Sequence, residues 1–109
     1  MPVPLMAKRK RKTAAGHSRA IRRARKKRLI LAYYFGSQCL RCKRLLTDSQ
    51  ITLDHVLPAA KGGRGSITNL QILCFNCNRD KADKIGDYRP WTIVSYINDN
   101  LTKIYEDFA

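Results

Sequence analysis

Two cysteine pairs enclose the stretch that decides the fold: Cys39-Leu-Arg-Cys42 at one end and Leu73-Cys74-Phe-Asn-Cys77-Asn78 at the other. A gap of two residues lets both thiolates of a knuckle turn toward a single ion, and two knuckles complete a tetrahedral four-cysteine zinc site. A disulfide framework is the alternative interpretation of four cysteines. Zinc is favoured because the N-terminus lacks the apolar segment and cleavage site of a secretory signal.

The length and composition indicate one small domain. The chain has 109 residues, of which 44% are hydrophobic, and a domain of this size gains stability from a bound metal. The longest apolar run, residues 29–35, is far shorter than a membrane span. We therefore expect a protein that is neither secreted nor membrane-bound.

Positive charge is concentrated in the first quarter of the chain. The formal net charge is +14, and twelve of the 22 lysines and arginines lie within residues 8–28. Such a block repels itself unless an anionic partner neutralises it, and nucleic acid is the commonest such partner. A solvated tail is the plainer interpretation, and a membrane surface is less favoured because large apolar residues are not interleaved. The predicted nucleic-acid contacts in this block are Lys8, Arg9, Lys10, Arg11, Lys12, Arg22 and Arg25.

Local patterns divide the chain into a disordered basic arm (1–17), a basic helix (18–36), a core with the knuckles (37–86) and a C-terminal helix (87–109). Ser18 is the predicted cap of the basic helix, and Gly36 its predicted end. Thr92 is the predicted cap of the last helix, which carries apolar residues at spacings of three or four. These residues are Ile93, Ile97, Leu101, Ile104 and Phe108.

Within the core, the pattern predicts two strands followed by a helix. The strands are Ile51–Asp54, where apolar and polar residues alternate, and Leu70–Leu73. A glycine-containing loop, Pro58–Asn69, joins them. The helix is predicted from Cys77 to Lys84, with Gly86 ending it.

Asp54, His55 and Asn78 supply the residue types that phosphodiester hydrolysis needs. Histidine is suited to taking a proton from water, and a carboxylate with an amide oxygen is a suitable cradle for magnesium. Neighbouring residues on a strand point to opposite faces, so Asp54 and His55 can share a site only if the strand ends there and His55 begins the loop. Asp-His pairs are usually incidental, and Asn78 has a plainer interpretation as a helix cap.

Residues 39–84 carry, in order, Cys39-x-x-Cys42, Leu-Asp-His-Val-Leu-Pro at 53–58, Gly62-Gly63, Asn69-Leu70, Leu73-Cys74-x-x-Cys77-Asn78 and Lys81. This series resembles the HNH endonucleases. The resemblance implies an α+β fold with a ββα-metal (His-Me finger) core, here holding a four-cysteine zinc site. The basic helix would flank this core on the N-terminal side, and the amphipathic helix on the C-terminal side.

The resemblance also implies a role for each site residue. His55 would be the general base, Asp54 a ligand of catalytic Mg²⁺ or Mn²⁺, and Asn69 the residue whose amide pins the loop between the strands. Asn78 occupies the place of the usual last histidine, so the chain is similar to the HNN variant, in which asparagine is the second metal ligand. Arg79 and Lys81, on the predicted helix, would contact phosphates, although solvated charge explains them equally well.

The predicted function is therefore metal-dependent cleavage of DNA, leaving 5′-phosphate and 3′-hydroxyl ends. One site cuts one strand, so a monomer would nick, and a homodimer or a phage or host protein partner would be needed for a double-strand break. Many small members of the family are phage-encoded, which predicts action in the cytoplasm of a bacterial or phage-infected cell. The alternatives are a non-catalytic zinc-containing nucleic-acid-binding protein and an inactive relative that assists packaging or recombination.

Overall fold

The computed structural model describes residues 14–109, so the predicted contacts at 8–12 lie outside the described residues. The helices are α1 (Ala14–Phe35), α2 (Phe75–Lys81), α3 (Trp91–Asp99) and α4 (Leu101–Asp107), and the strands are β1 (Thr52–His55) and β2 (Leu70–Leu73). Short 3-10 helices lie at Asp48–Gln50, Ala59–Lys61 and Ile67–Asn69. The predicted α+β fold is confirmed. Within the described residues, no helix combines the length and apolar character needed to cross a bilayer.

Helix α1 joins a basic, largely exposed half to a buried end. It begins at Ala14 rather than Ser18, so the last four residues assigned to the disordered arm are helical. Ile30 and Leu31 are fully buried, and this end of the helix packs against β2. Gly36 ends the helix as predicted, with a φ of +86° that glycine adopts without steric cost.

The two strands form an antiparallel pair in which Asp54 lies opposite Gln71. Strand β1 covers 52–55 rather than 51–54, so His55 is its last residue and not the first residue of the loop. Strand β2 has the predicted bounds, and all four of its residues are buried. The continuous burial explains its apolar sequence and makes Gln71, which is fully buried, the exception that needs hydrogen-bond partners.

Helix α2 begins and ends earlier than predicted. It starts at Phe75, directly after Cys74, whose sulfur accepts the N–H of Cys77 and thereby caps the helix. It ends at Lys81, because Ala82 leaves the helical region with a φ of +51°. The prediction that Gly86 ends this helix was therefore wrong.

The predicted C-terminal helix is two helices. Asn100 interrupts it, and its side-chain amide donates to the carbonyl of Tyr96 at 2.8 Å, a local bond that competes with the helical pattern. The first of the two helices is preceded by Pro90 rather than capped by Thr92. Ile97 and Ile104 are buried on either side of the interruption, so the apolar face is kept.

Candidate metal centre and active-site cleft

The four cysteines converge on one point. Their sulfur atoms all lie within 4.8 Å of one another, and the sulfurs of Cys42 and Cys74 are 4.0 Å apart. Zinc–sulfur bonds of about 2.3 Å in a tetrahedron separate the sulfurs by roughly 3.8 Å. None of the cysteines forms a disulfide. The cluster therefore has the ligand type, number and spacing that a structural zinc ion requires.

Backbone N–H groups already favour negative charge at two of the four sulfurs. Burial acts to raise the pKa of Cys39, but N–H donors from Cys42, Cys74 and Arg41 lower it to about 6. The N–H of Cys77 likewise lowers the pKa of Cys74. Burial and the neighbouring sulfurs raise the pKa of Cys77 to about 12, because the pocket does not tolerate a further negative charge alone. A divalent cation bound by the four sulfurs would supply the compensating charge.

A second candidate site is a cleft of about 270 Å³ that brings together Asp54, His55 and Asn78. Its full lining is Leu53, Asp54, His55, Pro58, Ala59, Ala60, Asn78, Ala82 and Asp83. Asp54 and His55 both reach it, although they are neighbours on β1, because His55 is the final residue of the strand. Asn78 comes from α2, directly after the last cysteine of the cluster.

Asp54 is a buried carboxylate that is held by an ion pair. It is 6% exposed, and Lys81 Nζ lies 3.1 Å from its Oδ2 and 3.4 Å from its Oδ1. Lys81 Nζ also donates to the carbonyl of His55 at 2.9 Å. Lys81 thus holds the Asp54 carboxylate and the end of β1 at once. A carboxylate has about four lone-pair positions, so these bonds still leave room for a metal ion.

Gln71 is a second support for Asp54, and the sequence analysis did not assign it a role. Its Nε2 donates to Asp54 Oδ2 at 3.0 Å and to the carbonyl of Gly86 at 2.7 Å, while its Oε1 accepts the N–H of Tyr88 at 2.9 Å. Gln71 therefore ties the chain after α2 to the strand pair. A polar residue within an otherwise apolar buried strand was the signal that could have identified it.

The side chain of Asn78 is oriented by Thr52. Thr52 Oγ1 donates its proton to the carbonyl of Leu73 at 2.6 Å, so it can only accept from Asn78 Nδ2, at 2.9 Å. This assigns the amide: Nδ2 faces Thr52, and Oδ1 has no hydrogen-bond donor among the described residues. An amide oxygen left in this way suits a hard cation such as magnesium, so the residues present fit a metal at this position.

The amide of Asn69 joins both sides of the loop between the strands. Its Oδ1 accepts the N–H of Leu57 at 3.0 Å, and its Nδ2 donates to the carbonyls of Leu57 and Arg64 at 3.0 and 2.8 Å. Asn69 does not line the cleft. Gly63 packs against the same loop so closely that a Cβ there would lie 1.6 Å from the carbonyl oxygen of Leu57. These contacts fix the segment that follows His55.

The predicted nucleic-acid contacts have different environments. Arg22 and Arg25 are exposed on α1, and the side chain of Arg79 is 62% exposed on α2. Lys81 is only 4% exposed, because its ammonium group points inward to Asp54. A phosphate contact by Lys81 would require breaking a buried ion pair. Lys81 therefore lies buried beside Asp54 and is not available for the predicted phosphate contact.

In a comparison with protein families, residues 39–88 fit the model described as HNH endonuclease. A search of curated proteins found no match to the chain. The matched segment contains both knuckles, both strands, α2 and the residues of the cleft, whereas α1, α3 and α4 lie outside it. The resemblance predicted from the spaced motifs is confirmed. Residues 39–88 of this chain therefore match the HNH endonuclease family.

Proposed function

We propose that this chain is a metal-dependent DNA endonuclease whose active centre consists of Asp54, His55 and Asn78. The observation that carries the proposal is their convergence on one cleft, with the amide oxygen of Asn78 left available by the hydrogen bond to Thr52. A module that only binds zinc and nucleic acid has no need of this arrangement. The match of residues 39–88 to HNH endonucleases supports nuclease chemistry at the level of the family.

In the proposed reaction, His55 accepts a proton from a water molecule as the water oxygen attacks phosphorus. The new P–O bond forms while the bond to the 3′ oxygen breaks. The leaving oxygen takes a proton from solvent, and the products are a 5′-phosphate and a 3′-hydroxyl. A Mg²⁺ or Mn²⁺ ion held by Asp54 and Asn78 would supply Lewis-acid stabilisation of the charge on the phosphate and on the leaving oxygen.

Lys81 and Gln71 have a supporting role in this proposal. Their bonds hold the Asp54 carboxylate in one orientation before any ion binds, which reduces the cost of organising the site. Asn69 and Gly63 do the same for the loop after His55, because they fix its backbone to the start of β2. Asn69 therefore acts through the position of His55 and does not touch the reacting atoms.

The substrate contacts proposed for Arg22, Arg25 and Arg79 lie on exposed surface outside the cleft. Together with residues 8–12, they would bind DNA mainly through phosphates, so affinity would fall steeply with salt. A monomer would nick one strand. A second copy, or a phage or host protein, would be required for a double-strand break in the cytoplasm of a bacterial or phage-infected cell.

One observation is equally compatible with the non-catalytic alternative. The charge of Asp54 is already balanced by Lys81, so the cleft is stable without a second metal ion. A zinc-containing protein that binds nucleic acid without cutting it would also tolerate this ion pair. The two functions therefore have to be separated by activity and not by stability.

The separating experiment incubates zinc-loaded protein with supercoiled plasmid in the presence of Mg²⁺ or Mn²⁺, and without either. We expect nicked circles only with the added ion. His55→Ala should lower the nicking rate by about 100-fold or more while the melting curve is unchanged. His17→Ala, which changes the chain's other histidine, is the matched control and should cut normally. Folded protein that never nicks, or a His55→Ala variant that nicks at the normal rate, contradicts the proposal.

A further inference from the structure

Lys27 brings a positive charge from α1 to the neighbourhood of His55. Its Nζ donates to the carbonyl of Gly65 at 2.6 Å, a bond between residues 38 positions apart. A Cβ placed on Gly65 would lie 3.6 Å from His55 Nε2 and 3.9 Å from Lys27 Nζ. The imidazole and the ammonium group therefore flank the same point beside Gly65. Lys27 lies outside the segment that matches the HNH family.

The hydrogen bond from Lys27 to the carbonyl of Gly65 is one that a substrate phosphate could replace. The ion pairs found among residues 18–109 do not include Lys27, and its bond to the carbonyl of Gly65 is solvent-exposed. An ammonium–phosphate hydrogen bond is charge-assisted and stronger than one to a neutral carbonyl. The missing side chain at Gly65 leaves the space between Lys27 and His55 open. Lys81, by contrast, is buried and committed to Asp54.

We propose that Lys27 binds a non-bridging oxygen of the phosphate that is cleaved, above Gly65 and beside His55. This inference rests on the proposed endonuclease function and adds a catalytic residue to it. Helix α1 would then do more than attract DNA, since it would supply one of the groups that stabilise charge on the reacting phosphate. The active site would be incomplete in residues 39–88 alone.

The test compares Lys27→Met with Lys26→Met in the full-length, zinc-loaded protein. Lys26 is the next residue of α1, is exposed, and lies in a groove with Arg19, Arg22 and Arg23, away from the cleft. Nicking of a duplex is measured in a single turnover with saturating protein, so that a weaker affinity for DNA does not affect the rate. Lys27→Met should be slower by about 100-fold, the typical effect of losing one donor to a reacting oxyanion. Lys26→Met should match the wild type.

Two further variants separate charge from support of the loop. Lys27→Gln keeps a hydrogen-bond donor that can serve the carbonyl of Gly65 but removes the charge, whereas Lys27→Arg keeps both. The proposal requires Gln to be as slow as Met and Arg to recover part of the rate, with unchanged melting curves for both variants.

A wild-type rate for Lys27→Met, or recovery by Gln as complete as that by Arg, overturns the role of Lys27 and leaves the endonuclease function standing. Failure of the wild-type protein to nick is a different result. It removes the proposed function and, with it, this inference.

Discussion

The two candidate metal sites differ in how their charge is balanced without an ion. The cysteine cluster collects four sulfurs, three of them buried, and burial together with the neighbouring sulfurs raises the pKa of Cys77 to about 12. In the cleft, the carboxylate of Asp54 already lies 3.1 Å from the ammonium group of Lys81. The first site needs a cation to hold its parts together, whereas the second is neutralised by the protein itself. We infer that zinc is required for the fold, and the second metal ion only for catalysis.

The two sites also depend on each other unequally: the cysteine cluster positions part of the cleft, but the cleft does not position the cysteine cluster. Cys74 and Cys77 flank the start of α2, and Asn78 follows directly, so the cysteine cluster determines where the amide of Asn78 lies. Asn78 does not determine where the sulfurs lie in the same way, because its side-chain hydrogen bond goes to Thr52. Damage to the cysteine cluster should therefore abolish both sites, and damage to the cleft only one.

Removal of zinc is the most severe way to test this difference. A structural zinc ion contributes about 10–16 kcal/mol of apparent binding free energy in small domains, which is as large as the whole stability of a typical domain. Chelation, or Cys39→Ala, should abolish the cooperative thermal transition. The measurement is a melting curve followed by circular dichroism, with zinc content determined by native mass spectrometry.

Addition of metal ions to the chelated protein provides the control. Zinc should restore the transition, and magnesium should not, since thiolates prefer softer ions and magnesium prefers oxygen ligands. A cooperative transition that persists in metal-free protein would show that the cysteine cluster is not what holds the fold.

Lys81→Met tests the charge balance of the cleft. Removal of one partner of a buried ion pair leaves an uncompensated charge and costs about 3–5 kcal/mol. We expect the free energy of unfolding in urea to fall by this amount at neutral pH, and to recover in part when Asp54→Asn removes the stranded charge as well. Lys103→Met is the matched control, because its ion pair with Asp107 is exposed, and its unfolding curve should match that of the wild type. Equal effects of the two lysine substitutions would mean that the Asp54–Lys81 pair is not buried in solution.

Local sequence signals predicted the parts of the molecule that short-range rules determine. The knuckle spacing and the bounds of β2 were readable, because each depends on a few neighbouring residues. Asp54 and His55 do line one cleft, but from the last two positions of β1 and not with His55 in the loop, as the sequence analysis required. The break at Asn100 was missed because the apolar spacing continues across it, and only the side-chain bond to Tyr96 reveals it.

Residues that act across the fold were harder to predict. Gln71 contacts Asp54 from 17 positions away in the chain, and Lys27 contacts Gly65, near His55, from 38 positions away. No spacing rule identifies such pairs. Lys81 was recognised as part of a motif, but its burial beside Asp54 was not predicted. In a helix of two turns, charge alone does not show which face is buried.

Gly65→Ala is the smallest substitution that we expect to lower nicking activity without lowering stability. The new methyl group would make ordinary contacts, 3.6 Å from His55 Nε2 and 3.9 Å from Lys27 Nζ, so the unfolding free energy should stay within about 0.5 kcal/mol of wild type. The same methyl group would occupy the space assigned to the reacting phosphate, and we expect single-turnover nicking to fall by about 10-fold, or roughly 1.4 kcal/mol.

Gly63→Ala is the contrasting control for Gly65→Ala. Its Cβ would meet the carbonyl oxygen of Leu57 at 1.6 Å, a clash that only a shift of the backbone can relieve, so both stability and nicking should suffer. If Gly65→Ala instead leaves nicking unchanged, the phosphate does not lie between His55 and Lys27. If Gly65→Ala destabilises the protein as Gly63→Ala does, Gly65 is needed for stability, as the cysteine cluster is. The distinction between structural and catalytic sites would then not hold for this loop.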